Sequence, residues 1–443
     1  MVSASPAARS ADTTPFRPAA RVAVAALAAL ALAFVATVRA DAQTVVSLTF
    51  DDTLSSQYQI RAALSGHAMH ATFFVNSGRI NTSGYMTKTQ LLALQSDGNE
   101  IAGHTVNHID LATVDADERA RQVCDDRASL LGWGFTITDF AYPFGLNDPA
   151  LEQVPPACGY DAARNNTGVG GTGPAAETIP PADPFAIRTV AEVVSTSTLA
   201  DLQQAVTSAE AAGGGWVVFV FHNVCDSCGT YAISPSVLTA FLDWLQPRAA
   251  TGTVVRTVRN VIGGPVQPAV AGPPLPPVRS GNMVSDPGLE ADANSDGFPD
   301  CWRANAWGTN AAIWQRLTGT NAHSGNVAER FDVTSYTSGQ VRLLSQQDLG
   351  YCAATATAGH TYQLSAWYRG SLRPRLVAFY RTPAGAWNVL GQSDRKPQSN
   401  SWKQATWKAP ALPSGANGIA MAVAGEAVGW LAIDDLAIID TAP

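Results

Sequence analysis

At 443 residues the chain is longer than one hydrophobic core usually organises, so at least two domains are expected. A formal net charge of −8 argues against nucleic acid or an anionic membrane surface as partner. A neutral or cationic partner is electrostatically easier, and the chain is expected to be a monomer.

The first element is an apolar run from Val22 to Val38, preceded by Arg17 and Arg21 and followed by the small-x-small sequence Ala40-Asp41-Ala42. That order reads as an export signal over residues 1–42, with an uncleaved anchor as the alternative. A secreted or periplasmic protein, off the membrane once the signal is cleaved, is therefore expected. Export also favours disulfides among the six cysteines. Cys301 with Cys352 is the pairing open to the second half, and Cys124 with Cys158 and Cys225 with Cys228 are preferred in the first. A redox pair or zinc half-site is the rival for Cys225-x-x-Cys228, but no second CxxC completes a zinc site.

From residue 43 to 261, apolar runs (VVSLTF, ATFFVN, EIAG, ITDFAYPF, WVVFVFH, TVVRTV) alternate with helix-like stretches such as Thr87 to Ser96, Asp115 to Leu131 and Thr198 to Ala212. Continuous apolar character implies strands covered on both faces, and the alternation with helices implies parallel pairing. The expected fold is α/β, a distorted (β/α) barrel with its site at the carboxyl ends of the strands. An open doubly wound sheet is the runner-up, although no glycine-rich dinucleotide fingerprint follows any strand. Residues 262–281 (IGGPVQPAVAGPPLPPVRSG) read as a semi-extended Pro-rich linker. Residues 282–443 carry short strands rich in Thr, Trp, Tyr and Val between Gly, Asn and Pro turns, which predicts an all-β sandwich. Eight of the eleven tryptophans lie there. Most are expected to fill the core, and a few exposed rings to stack on sugar faces.

Four short segments follow predicted strands: TFDD at 49–52, HTVNH at 104–108, YPFG at 142–145, and His222 after WVVFVF. Adjacent carboxylates at Asp51 and Asp52 repel each other unless a cation or proton intervenes, although an isolated Asp-Asp is more often a solvated strand end. His104 and His108 alone are weak evidence for a metal, and a lone His222 is usually a satisfied core or turn residue. Together they make a three-ligand site from Asp52, His104 and His108, with open positions for water and substrate and with Asp51 and His222 left for proton transfer.

Residues 45 to 260 resemble the polysaccharide deacetylases, carbohydrate esterase family four, through those four segments in order and spacing. The resemblance implies that Asp51 is the general base, and that Asp52, His104 and His108 hold a divalent metal, zinc by preference. It also implies that Tyr142 and Phe144 line the oxyanion and substrate position, where the Phe144 N–H is the donor, and that His222 is the general acid. Thr105 is expected to orient an imidazole. Two departures stand out. The third motif of the family commonly begins with an Arg that pairs with the catalytic Asp, and here that position is Ala141; Arg164 or Arg188 is the candidate replacement. The fourth motif has no clean match, leaving Asp161 and Asp183 as weak candidates for the partner of His222.

Through an opening NMVSDPGLE and a closing WLAIDDLAI, residues 282 to 440 resemble the jelly-roll carbohydrate-binding modules of secreted glycan enzymes, which implies a structural calcium clamped by Glu290 and Asp434. The loop DANSDGFPD at 292–300 has the alternating acidic pattern of a calcium loop, but its twelfth position is Arg303 rather than Glu. The combined expectation is a secreted, metal-dependent deacetylase acting on an acetylated polysaccharide such as chitin, peptidoglycan or acetylxylan. A catalytically silent glycan-binding protein is the alternative.

Overall fold

The computed structural model describes residues 43–442, so the expected export signal lies outside the described residues. Strand β1 (Thr44–Phe50) is buried along its whole length, as its unbroken apolar character requires. Around it lie β2 (Thr72–Val75), β3 (Glu100–Gly103), β4 (Asp139–Ala141), β5 (Ala162–Gly168), β6 (Ile187–Thr189), β7 (Gly215–Phe221), a small β8–β9 pair (Asn223–Val224, Ala232–Ile233) and β10 (Thr253–Val255). All pairings are parallel: β1 joins β7 along one edge and β10 and β2 along the other, and β2 to β6 follow in chain order. Just after β6, the Val190 and Val193 N–H groups donate to Val218 and Val220 of β7, which brings the sheet round toward closure. The (β/α) barrel expectation holds.

The helices Lys88–Ser96, Ala116–Gly132 and Leu199–Ala211 begin where side-chain caps can satisfy their free N–H groups. Thr87 and Thr198 form capping boxes with Gln90 and Asp201, and Asp115 accepts from the Glu118 N–H. In-register strand ends place Asp51, His104, Tyr142 and His222 directly after β1, β3, β4 and β7 on one rim. The structure joins Cys124–Cys158, Cys225–Cys228 and Cys301–Cys352.

Two antiparallel sheets follow, as the sandwich reading expects. One orders β11 (Trp302–Trp307), β14 (Gln340–Ser345), β20 (Gly418–Gly425), β17 (Arg375–Arg381) and β18 (Trp387–Gln392), with β15 (Ala354–Thr355) also on β20. The other orders β12 (Asn310–Thr318), β13 (Val327–Tyr336), β21 (Gly429–Asp440), β16 (Tyr362–Gly370) and β19 (Ser399–Lys408). Their shared core is aliphatic and aromatic, with Leu343, Leu364, Met421 and Ile433 at its centre. The tryptophans depart from expectation: among the eight, Trp302 alone is fully buried, and Trp307 is 54% exposed. Arg330, Arg369 and Arg342 guanidinium groups lie over the rings of Trp430, Trp402 and Trp307 instead.

The Pro-rich stretch carries no strand or helix beyond Ile262, yet it is not a free spacer. Arg127, in the helix Ala116–Gly132, donates to the carbonyls of Gln267 and Pro268 at 2.8 and 2.9 Å, and the Gly272 N–H donates to Asp125. The same helix meets the sandwich. Buried Arg121 donates to the Leu349 carbonyl at 2.6 Å, Asp348 accepts from the Asp115 N–H at 2.9 Å, and Arg381 lies 4.0 Å from Glu118.

Candidate active site

Three loops at the barrel rim are bent by residues in the left-handed region. Asp52, Thr53, Thr105, His108 and Phe144 have φ of 76, 64, 66, 55 and 59°. Non-glycine residues pay for that conformation, so neighbouring bonds must hold them there. Two buried carboxamides that the motifs did not flag do so for the loops after β1 and β3. Asn76 donates to the carbonyls of His104 and Thr105, and its N–H donates to Thr53 Oγ1 at 2.7 Å. Gln57 ties the Asp51 carbonyl to that of His222. Their only sequence signal is a polar residue inside or just after an apolar element. Asp126, whose pKa burial pushes up to about 7, accepts from the N–H groups of Ser77 and His104.

These bonds bring Asp52, His104 and His108 together. Asp52 Oδ1 lies 3.1 Å from His108 Nε2 and 3.7 Å from His104 Nε2. His104 Nδ1 donates to the Ala141 carbonyl at 2.7 Å, since a carbonyl can only accept, and its Nε2 therefore presents a lone pair. Burial first of all depresses the pKa of both imidazoles to about 4, His108 being lowered further by Arg79, so both rings are neutral at pH 7. Asp52 Oδ1 is buried and has no hydrogen-bond donor; Arg79 at 3.8 Å is too distant. Acceptors converging on one point without a donor are unfavourable unless a cation joins them, so the residues present fit a divalent metal.

Asp51 stands beside this group, 4.0 Å from His104 Nε2, and is paired with Arg164, itself 1% exposed. Arg164 faces Ala141 across the β4–β5 ladder, so the guanidinium absent from one strand arrives from the next. Burial disfavours the Asp51 carboxylate, but Arg164, His104 and His222 outweigh it and hold its pKa below the usual carboxylate value. Across a cavity of about 460 Å³ lined by Asp51, Asp52, His104, His108 and Phe144, His222 completes the wall, with its Nε2 3.8 Å from Glu192.

Several expected residues lie elsewhere. Arg188 forms a paired contact with Glu177 at 2.7 Å from both Nε and Nη2, away from Asp51. The Tyr142 ring is buried and its hydroxyl donates to the Phe185 carbonyl, so the side chain is not at the cavity, whereas Phe144 is. Thr105 accepts from the His108 backbone N–H at 2.9 Å and shapes the turn rather than an imidazole. Asp183 caps the Phe185 N–H and Asp161 lies against Gly264; Glu192, which no motif singled out, is the carboxylate near His222.

Residues 39–163 match the family model described as polysaccharide deacetylase. Over this stretch the chain is similar to the polysaccharide deacetylases. Among curated proteins, the peptidoglycan-N-acetylmuramic acid deacetylase PdaC of Bacillus subtilis (strain 168) is 31% identical to the chain over 117 residues, which is 25% of this chain and 24% of that protein. The chain thus spans about a quarter of the length of the curated relative it matches. The solved structure of peptidoglycan deacetylase PdaC from Bacillus subtilis is 18% identical, covering 49% of this chain and 90% of that one at a TM-score of 0.32. The structure of TmCBM61 in complex with beta-1,4-galactotriose is 20% identical, covering 36% of this chain and 99% of that one at a TM-score of 0.25.

Beyond the barrel, the sandwich residues expected to clamp calcium are arranged differently. Asp434 lies with His323 and Asp435, their ligand atoms within 4.8 Å of one another, in a group that does not include Glu290. Glu290 accepts from the N–H groups of Asn326 and Val327 at 2.8 and 3.0 Å. In the acidic loop, Asp292, Asp296 and Asp300 accept from the N–H groups of Gly297, Phe298 and Ala293. These carboxylates cap their own backbone, as in an Asp-rich turn. Among the described residues no helix is long and apolar enough to cross a membrane.

Proposed function

We propose that this chain is an exported, metal-dependent deacetylase of acetylated polysaccharide, with residues 43–261 as catalytic domain, 262–281 as linker and 282–443 as a glycan-binding module. The observation that carries the reading is the convergence of Asp52 Oδ1 with two imidazole Nε2 atoms, flanked by an Arg-paired Asp51 on one side and His222 across the cavity. Asp52, His104 and His108 would hold the cation, and zinc suits that donor set. When bound, such an ion supplies Lewis acidity, polarising an acetyl carbonyl and acidifying a water.

The chain's own residues then divide the proton work. Asp51, kept ionised and aimed by Arg164, accepts the proton of the attacking water. The Phe144 N–H, on a turn set by Pro143, donates to the carbonyl oxygen as negative charge develops there. His222, with Glu192 beside it, gives a proton to the departing sugar nitrogen, or oxygen for an ester, as its bond to the acetyl carbon breaks. Acetate and a deacetylated glycan are the products. The silent glycan-binding alternative drew on Ala141 and on the missing fourth motif. The pairing of Arg164 with Asp51 and the presence of Glu192 3.8 Å from His222 support the active reading.

Acetate release from chitin, peptidoglycan and acetylxylan, with mass spectrometry to separate N- from O-deacetylation, tests the reading. Zinc-loaded protein is expected to release acetate from at least one glycan. A folded, zinc-loaded protein inactive on all three would overturn the proposal.

A further inference from the structure

We propose that the groove between barrel and sandwich is a second glycan subsite, one that seats the sugar units beside the acetylated one and makes the sandwich part of the substrate cleft. This rests on the deacetylase reading for the identity of the reacting unit. A groove of about 600 Å³ runs between the two parts of the molecule. His108 and Phe144 line both this groove and the catalytic cavity of about 460 Å³, so the spaces adjoin at those two side chains. Phe144, 54% exposed, stands with its ring 4.7 Å from that of His108 and divides one from the other. Each volume is in the range that encloses a small organic ligand, and together they accommodate more than a single sugar ring.

The chemistry of the walls suits a pyranose, which offers apolar C–H faces and hydroxyl edges. The barrel contributes Arg79, Asn107 and Ile109, and the sandwich contributes Arg303, Trp387 and Asn388. An indole flanked by guanidinium and carboxamide groups matches both faces of such a ring. In this groove, residues of both halves meet the candidate-site side chains His108 and Phe144.

The groove is also held in one register, which a tethered module would not achieve. Asn107 donates to the Gly385 carbonyl at 2.8 Å at the edge of the groove, and Arg121, Glu118, Asp348 and Arg381 are buried where the sandwich meets the barrel helix. Buried polar pairs of this kind fix register more than they add affinity. A Cβ on Gly78 would lie 2.9 Å from that of Ala386, so the two parts approach as closely as a glycine permits. A flexible linker raises only the local concentration of polymer. A docked sandwich can instead select chain length.

The test compares the full chain with its Trp387→Ala, Asn388→Ala and Arg303→Ala variants, each checked for folding by circular dichroism. Acetate release is measured on N-acetylglucosamine oligomers and on acetylated xylo-oligomers, from one sugar to six. The wild type is expected to gain in kcat/KM with chain length, and Trp387→Ala to reduce that gain about tenfold, as truncating an aromatic hot spot does. Should Trp387→Ala fail to fold, the variants at exposed Asn388 and Arg303 carry the test, with smaller reductions expected. Folded variants that keep the wild-type length dependence, or a wild type with none, would refute the subsite while leaving the deacetylase reading intact. If the wild type releases no acetate from either series, the deacetylase reading is judged separately, on peptidoglycan. Calorimetry with the N-acetylglucosamine hexamer then decides the groove: binding weakened by the variants supports it, and equal or absent binding refutes it.

Discussion

The barrel and the sandwich each gather one histidine-carboxylate group of three residues, and the two differ in what their oxygens already bind. In the barrel, Asp52 Oδ1 is buried without a donor and faces two imidazole nitrogens, one of which is committed as a lone pair by the His104–Ala141 bond. In the sandwich, Asp434 accepts from the N–H groups of His323, Ser324 and Asp435 at 2.8, 3.1 and 2.7 Å, and Asp435 accepts from His323 Nδ1 and from Ser324 Oγ. Proximity of ligand types is the same in both. Saturation by hydrogen bonds is not, and it is unsatisfied acceptors that call for a cation. The His323 ring, stacked 3.8 Å from that of Trp367, is likewise engaged by packing.

The largest test of that contrast is metal content. His104→Ala is expected to remove bound zinc, read by elemental analysis, and to abolish acetate release, whereas Asp434→Ala leaves zinc and turnover in place. Asp434→Ala instead strands three backbone donors and should lower stability by about 1–3 kcal/mol, read by denaturant titration. Equal zinc loss from both variants would erase the distinction.

A smaller effect separates metal holding from proton transfer within the barrel. Asp51→Asn is expected to keep zinc and to lower kcat by about 100-fold, in the usual range for a lost general base. Near-normal turnover would place the base elsewhere.

The subtlest effect sets Arg164 against Arg188. With Asp51 as the proposed base, activity is expected to fall as pH drops through its pKa, which the folded protein holds below the ordinary value. Arg164→Ala removes a favourable charge and therefore raises that pKa, moving the acidic limb of the pH-rate profile to higher pH. Arg188→Ala, whose partner is Glu177, should leave the limb where it is. Identical profiles for the two variants would dissolve the assignment of Arg164 to Asp51.

Much of the fold was legible along the chain because its signals are local. The continuous apolar strands, the capped helices after Thr87, Asp115 and Thr198, and the change to short strands past the Pro-rich segment each depend on neighbours within a few residues. The grouping of Asp52, His104 and His108 was legible too, since residues placed just after parallel strands meet on one rim. What replaces the Arg missing at Ala141 was open between Arg164 and Arg188, because both lie in the same kind of short strand. Only the β4–β5 register sends Arg164 to Asp51, while Arg188 turns to Glu177. Gln57, Asn76 and Glu192 carried no motif, and their places depend on loops that close over distances of tens to more than a hundred residues. The docking of the sandwich was invisible for the same reason: a Pro-rich stretch reads as a spacer by composition, and its bonds to Arg127 and Asp125 exist only once the barrel helix is folded. Local pattern determined the elements and the ligand types; tertiary register decided which charges meet, because hydrogen bonds and ion pairs depend on ångström distances that composition does not encode.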